Sequence, residues 1–104
     1  MQEAIALDGL SEKAEDAVAL LKALASPPRL LILCTLLEGE RSVGELAAHL
    51  EMREATVSQN LTVLRREHIV ATRRSAQTIY YSLAHETVRE ILASLARTFC
   101  PSGA

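Results

Sequence analysis

Two helical segments separated by almost no chain constrain this sequence more than anything else in it. Ser42-Val43-Gly44-Glu45 has the form of a capping box, in which the serine side chain reaches the amide three residues on and the glutamate reaches back. A helix is therefore predicted from Ser42 to Leu50. Only Glu51-Met52 follows before Val57, Leu61 and Leu64 mark the inward stripe of another helix, extending to about Glu67. Two helices joined by so short a connection form a helix-turn-helix.

The flanking elements follow from the same rules. Upstream, Ser11 is read as the N-cap of a first amphipathic helix with apolar positions at Ala14, Ala17, Val18 and Leu21, widened by Leu20 and Leu24. Ser26-Pro27-Pro28 stops it, and the second proline is expected to open a second helix that runs to about Leu37 and ends at Gly39. The spacing Leu30, Leu33, Cys34, Leu37 places Cys34 on its buried face. Downstream, Ile69 to Ser75 and Thr78 to Leu83 are rich in β-branched and aromatic residues, and the short stretch around Ala76 leaves room only for a hairpin. Val88, Ile91, Leu92, Leu95 and Phe99 then restore a helical stripe, ended by Pro101 and Gly103. The prediction is a mainly α domain of five helices and one β-hairpin over residues 11–100, with flexible tails at 1–10 and 101–104.

With 104 residues the chain makes one domain, and 17 leucines and 16 alanines against three aromatics require a core of closely packed helices. A domain this small buries only about two-thirds of its unfolded surface, so a spare apolar helical face is expected to be covered in a dimer. No apolar run approaches the roughly 18 residues of a membrane span. The first ten residues carry Glu3 and Asp8 and no Lys or Arg, unlike a secretion signal, so a cytoplasmic location without membrane association is expected. Cysteines in that compartment normally stay reduced, which argues against a permanent disulfide between Cys34 and Cys100. An enzyme using them as a redox pair lacks both a Cys-x-x-Cys motif and an α/β pattern, and no catalytic residues or cofactor are expected.

A net charge of -2 excludes a protein that coats DNA by bulk charge, but the average conceals a division. Residues 1–52 hold four basic and nine acidic groups, whereas residues 53–76 hold five basic and two acidic. On the wheel of the fourth helix, the face opposite Val57, Leu61 and Leu64 carries Ala55, Gln59, Thr62 and Arg66, flanked by Thr56, Ser58 and Val63. Short hydroxyl and amide groups can exchange hydrogen bonds with base edges, methyl groups can touch thymine, and Arg53, Arg65 and Arg66 can reach phosphates. The hairpin adds Arg73 and Arg74, with Gln77 at its tip. A helix-turn-helix, a basic hairpin and an apolar last helix together predict a winged helix-turn-helix that binds double-stranded DNA.

Four segments resemble the ArsR/SmtB winged-helix repressors: Leu24-Ala25-Ser26-Pro27-Pro28-Arg29-Leu30-Leu31-Ile32-Leu33, Ser42-Val43-Gly44-Glu45-Leu46-Ala47, Thr56-Val57-Ser58-Gln59-Asn60-Leu61 with Val63-Leu64-Arg65, and Ile79-Tyr80-Tyr81-Ser82-Leu83. The resemblance spans about residues 14–100. It implies a homodimer through the first and last helices, with recognition helices in successive major grooves of a partly palindromic operator. Arg53, Ala55, Thr56, Ser58, Gln59, Asn60, Thr62 and Arg66 of the recognition helix, and Arg73, Arg74 and Gln77 of the wing, are the expected DNA contacts. The sequence departs from the family pattern in having Asn60 where many members have His, His68 where many have Gly, and Arg53-Glu54 in place of a commoner polar cap.

The cysteines of metal-sensing members lie on the third helix, or spaced carboxylate and histidine ligands lie on the last. Here the third helix has no thiol, the last offers His85, Glu86 and Glu90 without a second histidine, and His49, His68 and His85 are scattered, so no metal site is expected. By residue type alone, Cys34 is a small core residue and Cys100 a tail thiol. The segments around them are similar to those of the sulfide-responsive branch of the family, the BigR, SqrR and HlyU type. That resemblance implies a dithiol switch bridged by reactive sulfur species such as persulfide or polysulfide, with release of operator DNA. The alternatives are a redox-responsive anti-silencing activator of the HlyU type and a metal-sensing repressor of the same fold.

Overall fold

The computed structural model describes residues 9–100. Its elements are α1 (Ala14–Leu24), α2 (Pro27–Leu37), β1 (Arg41–Ser42), α3 (Val43–Leu50), α4 (Glu54–Arg66), β2 (Val70–Ser75), β3 (Thr78–Leu83) and α5 (Glu86–Phe99). Residues 9–12 form a helical turn ahead of α1, so Ser11 lies inside helical chain and Lys13 occupies the N-cap of α1 without a side-chain cap. At α2 it is the first proline, Pro27, that opens the helix, while the Ser26 side chain accepts from the Arg29 amide. The capping box forms as predicted, with Glu45 N–H donating to Ser42 Oγ at 3.1 Å and Ser42 N–H donating to Glu45 Oε1 at 2.9 Å.

The hairpin is one part of a three-stranded antiparallel sheet in the order β1-β3-β2. Arg41 and Ser42 pair with Tyr81 and Tyr80, so the residue that caps α3 also anchors that helix to the wing. The β2–β3 register runs from Val70 opposite Leu83 to Ser75 opposite Thr78, which leaves Ala76-Gln77 as the turn.

One continuous core joins these layers, built from Ile32, Leu33 and Leu36 of α2, Leu46 of α3, Val57, Leu61 and Leu64 of α4, Ile69 and Leu83 around the sheet, and Val88 and Leu92 of α5. The phase of α2 differs from the expected one. Ile32, Leu33, Thr35 and Leu36 are buried, whereas Leu30, Cys34 and Leu37 are half-buried at the rim. In α1 the core side is Ala23 and Leu24, and two members of the predicted stripe, Val18 and Leu21, remain 46% and 54% exposed. No single helix among the described residues is long and apolar enough to cross a membrane.

The end of α4 explains why a histidine can stand where glycine is common. His68 has φ +61, its N–H donates to Arg65 O at 3.0 Å, and Ile69 N–H donates to Leu64 O at 2.9 Å. This pair of bonds is a Schellman motif, closed by the buried Leu64 and Ile69. A left-handed residue with a Cβ is disfavoured by sterics, less for His than for most. His68→Gly is therefore expected to stabilise the domain by about 0.5–1 kcal/mol, seen as a higher urea midpoint at unchanged slope.

Candidate functional site

α4 is held by its buried stripe, Val57, Leu61 and Leu64, all 0% exposed, which turns the opposite face to solvent. Ala55, Ser58, Gln59, Thr62 and Arg66 lie exposed on it, with Arg65 beside them and Arg53 exposed at the N-cap. Thr56 is half-buried. Thr62 donates its hydroxyl proton to Ser58 O at 3.0 Å, leaving its methyl group and lone pairs for a ligand. Asn60 is placed differently from its neighbours. Its amide donates to Thr56 O at 2.9 Å and its carbonyl accepts from Arg29 at 3.3 Å, so the side chain ties α4 to α2.

Arg29 in turn holds three elements together. Nε donates to Ala23 O at 2.6 Å and Nη2 to Lys22 O at 3.3 Å, both in the last turn of α1, while Nη1 reaches Asn60. The last carbonyls of a helix lack partners within it and carry its negative dipole end, so a guanidinium suits them well. The sequence contains no local signal of this arrangement, because two of its acceptors are backbone oxygens and the third, Asn60, is 31 residues away.

On the wing, Arg74 and Gln77 are exposed at the end of the hairpin. Arg73 is not a free cation. Its Nε donates to both carboxylate oxygens of Glu40 at 2.9 Å, Nη2 adds a further short contact, and its guanidinium lies 4.8 Å from the Tyr80 ring centroid. Hydrogen bonding from Arg73 holds the Glu40 carboxyl below its ordinary range. An arginine engaged in this way must exchange Glu40 for phosphate before it can contribute to DNA affinity. Replacing Glu40 by Gln is therefore expected to raise DNA affinity and steepen its salt dependence by about 0.9 in log–log slope, the contribution of one additional phosphate contact. Titrations at several salt concentrations check this, and an unchanged slope would show that freeing Arg73 from Glu40 adds no phosphate contact.

The second feature lies between α2 and α5. A cleft of about 490 Å³ opens there, walled by Leu30, Leu31 and Leu37 of α2 and Leu95 and Phe99 of α5. Both cysteines line it, Cys34 half-buried on α2 and Cys100 exposed at the C-cap of α5. Burial pushes the Cys34 thiol above its ordinary pKa, and the proximity of Cys100 adds to the shift. Arg29 is bound to α1 and α4, and among the described residues no arginine lines the cleft. Among the described residues no group of three His, Cys, Asp or Glu side chains could hold a metal ion. His85 instead caps α5, its Nδ1 accepting from Val88 N–H at 3.4 Å.

A recognition helix seated by its apolar stripe, an antiparallel wing with exposed basic and polar groups and a helical frame around them define a winged helix-turn-helix DNA-binding protein. Residues 26–72 match the model of the arsR family of bacterial regulatory proteins. The chain is 46% identical over 96 residues to the biofilm growth-associated repressor of Agrobacterium fabrum, covering 92% of this chain and 82% of that protein. It is 44% identical to the transcriptional activator HlyU of Vibrio cholerae over 90% of this chain and 87% of that one. The structure of reduced HlyU from that species has a TM-score of 0.83, with 43% identity and coverage of 88% and 97% of the two chains. A homodimeric winged helix-turn-helix DNA-binding domain from Mycobacterium bovis, a possible ArsR-family regulator, gives a TM-score of 0.76 at 33% identity, covering 85% and 82%. The chain belongs to the ArsR family and is a transcriptional regulator of the type that includes HlyU.

Proposed function

We propose that this protein is a homodimeric transcriptional repressor that releases its operator when reactive sulfur species bridge Cys34 and Cys100. The observation that carries the reading is the shared cleft, in which the only two cysteines of the chain face one space from two different helices. The outward Val18 and Leu21 of α1 supply an apolar face for a partner protomer, in line with a dimer built on the first and last helices. Ala55, Thr56, Ser58, Gln59, Thr62 and Arg66 read or position the DNA with Arg53, Arg74 and Gln77, and Arg73 joins them once it leaves Glu40. Asn60 supports the recognition helix from behind.

The chemistry balances with polysulfide as the oxidant. One cysteine thiolate takes sulfur from a polysulfide to give a protein hydrotrisulfide, Cys–S–S–SH, and a shortened polysulfide leaves. The second thiolate attacks the central sulfur of that group, forming a Cys–S–S–S–Cys bridge and expelling HS⁻. The bridge fastens α5 to α2, and through the dimer it alters the spacing of the two recognition helices. A direct disulfide needs Cα atoms within about 7 Å, whereas inserted sulfur relaxes that limit.

The test compares the protein treated with polysulfide, glutathione disulfide and hydrogen peroxide, reading bridge composition by mass spectrometry and operator binding on the same samples. Extra sulfur in the bridge together with lost binding is the expected outcome; retained binding by the bridged form would sink the reading. A second reading, an activator that displaces a silencer, is favoured by the 44% identity to a protein named as an activator. Deleting the gene distinguishes them, since target expression rises for a repressor and falls for an activator.

A further inference from the structure

We propose that the cleft between α2 and α5 is a binding site for uncharged, hydrocarbon-bearing polysulfides, which reach the cysteine pair in preference to anionic donors such as glutathione-based ones. The inference rests on the dithiol reading above and specifies its substrate class. Three observations support it. The cleft volume, about 490 Å³, falls within the roughly 300–1,000 Å³ of small-molecule sites. Its walls are leucine and phenylalanine, and Leu31 of α2, which lies outside the helices assigned to the dimer, is 50% exposed, so apolar surface is available to an arriving alkyl or allyl group. Its one charged lining residue is Glu38, whose carboxylate contacts Arg41 at 3.5 Å, and no Lys or Arg among the described residues lines it. A donor carrying carboxylates would have to desolvate them against this wall without a cation to receive them.

The same surroundings make donor binding the more effective route to reaction. Burial holds Cys34 largely as the thiol, so a donor held beside it gains from proximity what the site does not supply by thiolate activation. With a dialkyl trisulfide R–S–S–S–R, the Cys34 thiolate attacks the central sulfur, forming Cys34–S–S–S–R and releasing RS⁻. The Cys100 thiolate then attacks the sulfur next to Cys34 Sγ, forming Cys34–S–S–S–Cys100 and releasing the second RS⁻. The two cysteine protons end on the two RSH products, the cysteines are oxidised and the trisulfide is reduced.

The experiment uses the full reduced protein with diallyl trisulfide and glutathione trisulfide, which share a sulfur chain and differ in charge, and with inorganic polysulfide. Bridging appears in mass spectra as a gain of one sulfur and a loss of two hydrogens. Each rate is divided by the rate for the same donor with the urea-unfolded chain, which removes intrinsic reactivity. The expected normalised preference for diallyl trisulfide is about ten-fold or more, consistent with burial of a few methylene-sized groups. Leu31→Arg, at a half-exposed position that tolerates a long side chain, is expected to remove or reverse that preference. Equal normalised rates, or faster bridging by glutathione trisulfide, would overturn the selectivity while leaving the switch in place. Failure of all three donors to bridge the cysteines would overturn the switch and the selectivity together.

Discussion

Arg29→Ala is expected to lower folding stability by about 2–3 kcal/mol and to weaken operator binding about ten-fold, although Arg29 lies outside the DNA-facing surface. Its guanidinium donates to Lys22 O and Ala23 O at the end of α1 and to Asn60 on the recognition helix. Hydrogen bonds from a charged donor contribute about 1.5–3 kcal/mol each when well shielded, and partial exposure of Arg29 reduces the sum. Alanine also leaves Ala23 O to find another donor, whereas Lys22 O keeps the Ala25 N–H. Arg29→Lys keeps the charge but replaces a planar fork by a single ammonium, so it should restore part of the stability and little of the link to Asn60. Asn60→Ala removes that link together with the side-chain bond to Thr56 O within α4, at a cost of about 1 kcal/mol. Urea denaturation of the two single variants and the double variant gives the coupling directly, and a double variant that is strictly additive would show that Arg29 and Asn60 do not act together. Because α1 offers the apolar face assigned to dimerisation, this arginine also connects the proposed dimer interface to the recognition helix.

The recognition helix and its wing were legible in the sequence because their signals are local. A capping box names its own helix start, and in α4 the polar face is polar enough to fix the phase of Val57, Leu61 and Leu64. α2 gives no such contrast. Between Leu30 and Leu37 nearly every residue is apolar, so several stripes satisfy the periodicity, and contacts with α4, α5 and the sheet decide that Ile32, Leu33 and Leu36 go inward. This moved Cys34 from the expected core face to the rim, where it can meet a ligand. β1 has no sequence signature for a different reason: two residues carry no period, and Arg41-Ser42 becomes a strand only by pairing with Tyr80 and Tyr81. The division of charge was readable, but its effect at the wing was not. Glu40 belongs to the acidic first half and is 33 residues from Arg73, and only the fold brings it to the arginine that was expected to face DNA. Asn60 departs from the commoner family residue at a position whose side chain turns toward Arg29.

Cys34→Ser and Cys100→Ser provide the largest effect and the sharpest test of the cleft. In reduced protein both are expected to bind operator within about two-fold of the unmodified chain, since Cys34 is only half-buried and Cys100 sits exposed at the end of α5. Polysulfide should lower operator affinity of the unmodified protein by roughly 30- to 150-fold, corresponding to about 2–3 kcal/mol of coupling between the bridge and DNA. Each serine variant should lose that response entirely, because a single cysteine can be persulfidated but cannot fasten α5 to α2. Full release by either variant would mean that modification of one thiol suffices, and the tether would have to be abandoned. The pH dependence adds an independent readout. Burial and, to a lesser degree, the neighbouring Cys100 raise the Cys34 pKa above the ordinary thiol range, so the thiol form dominates near neutral pH. If Cys34 makes the first attack, the initial modification rate in Cys100→Ser should climb about ten-fold per pH unit from 7 to 9 with no plateau. A profile in Cys100→Ser that levels near neutral pH would show that the Cys34 thiol is not held up by its surroundings and would remove it as the slow, buried first nucleophile.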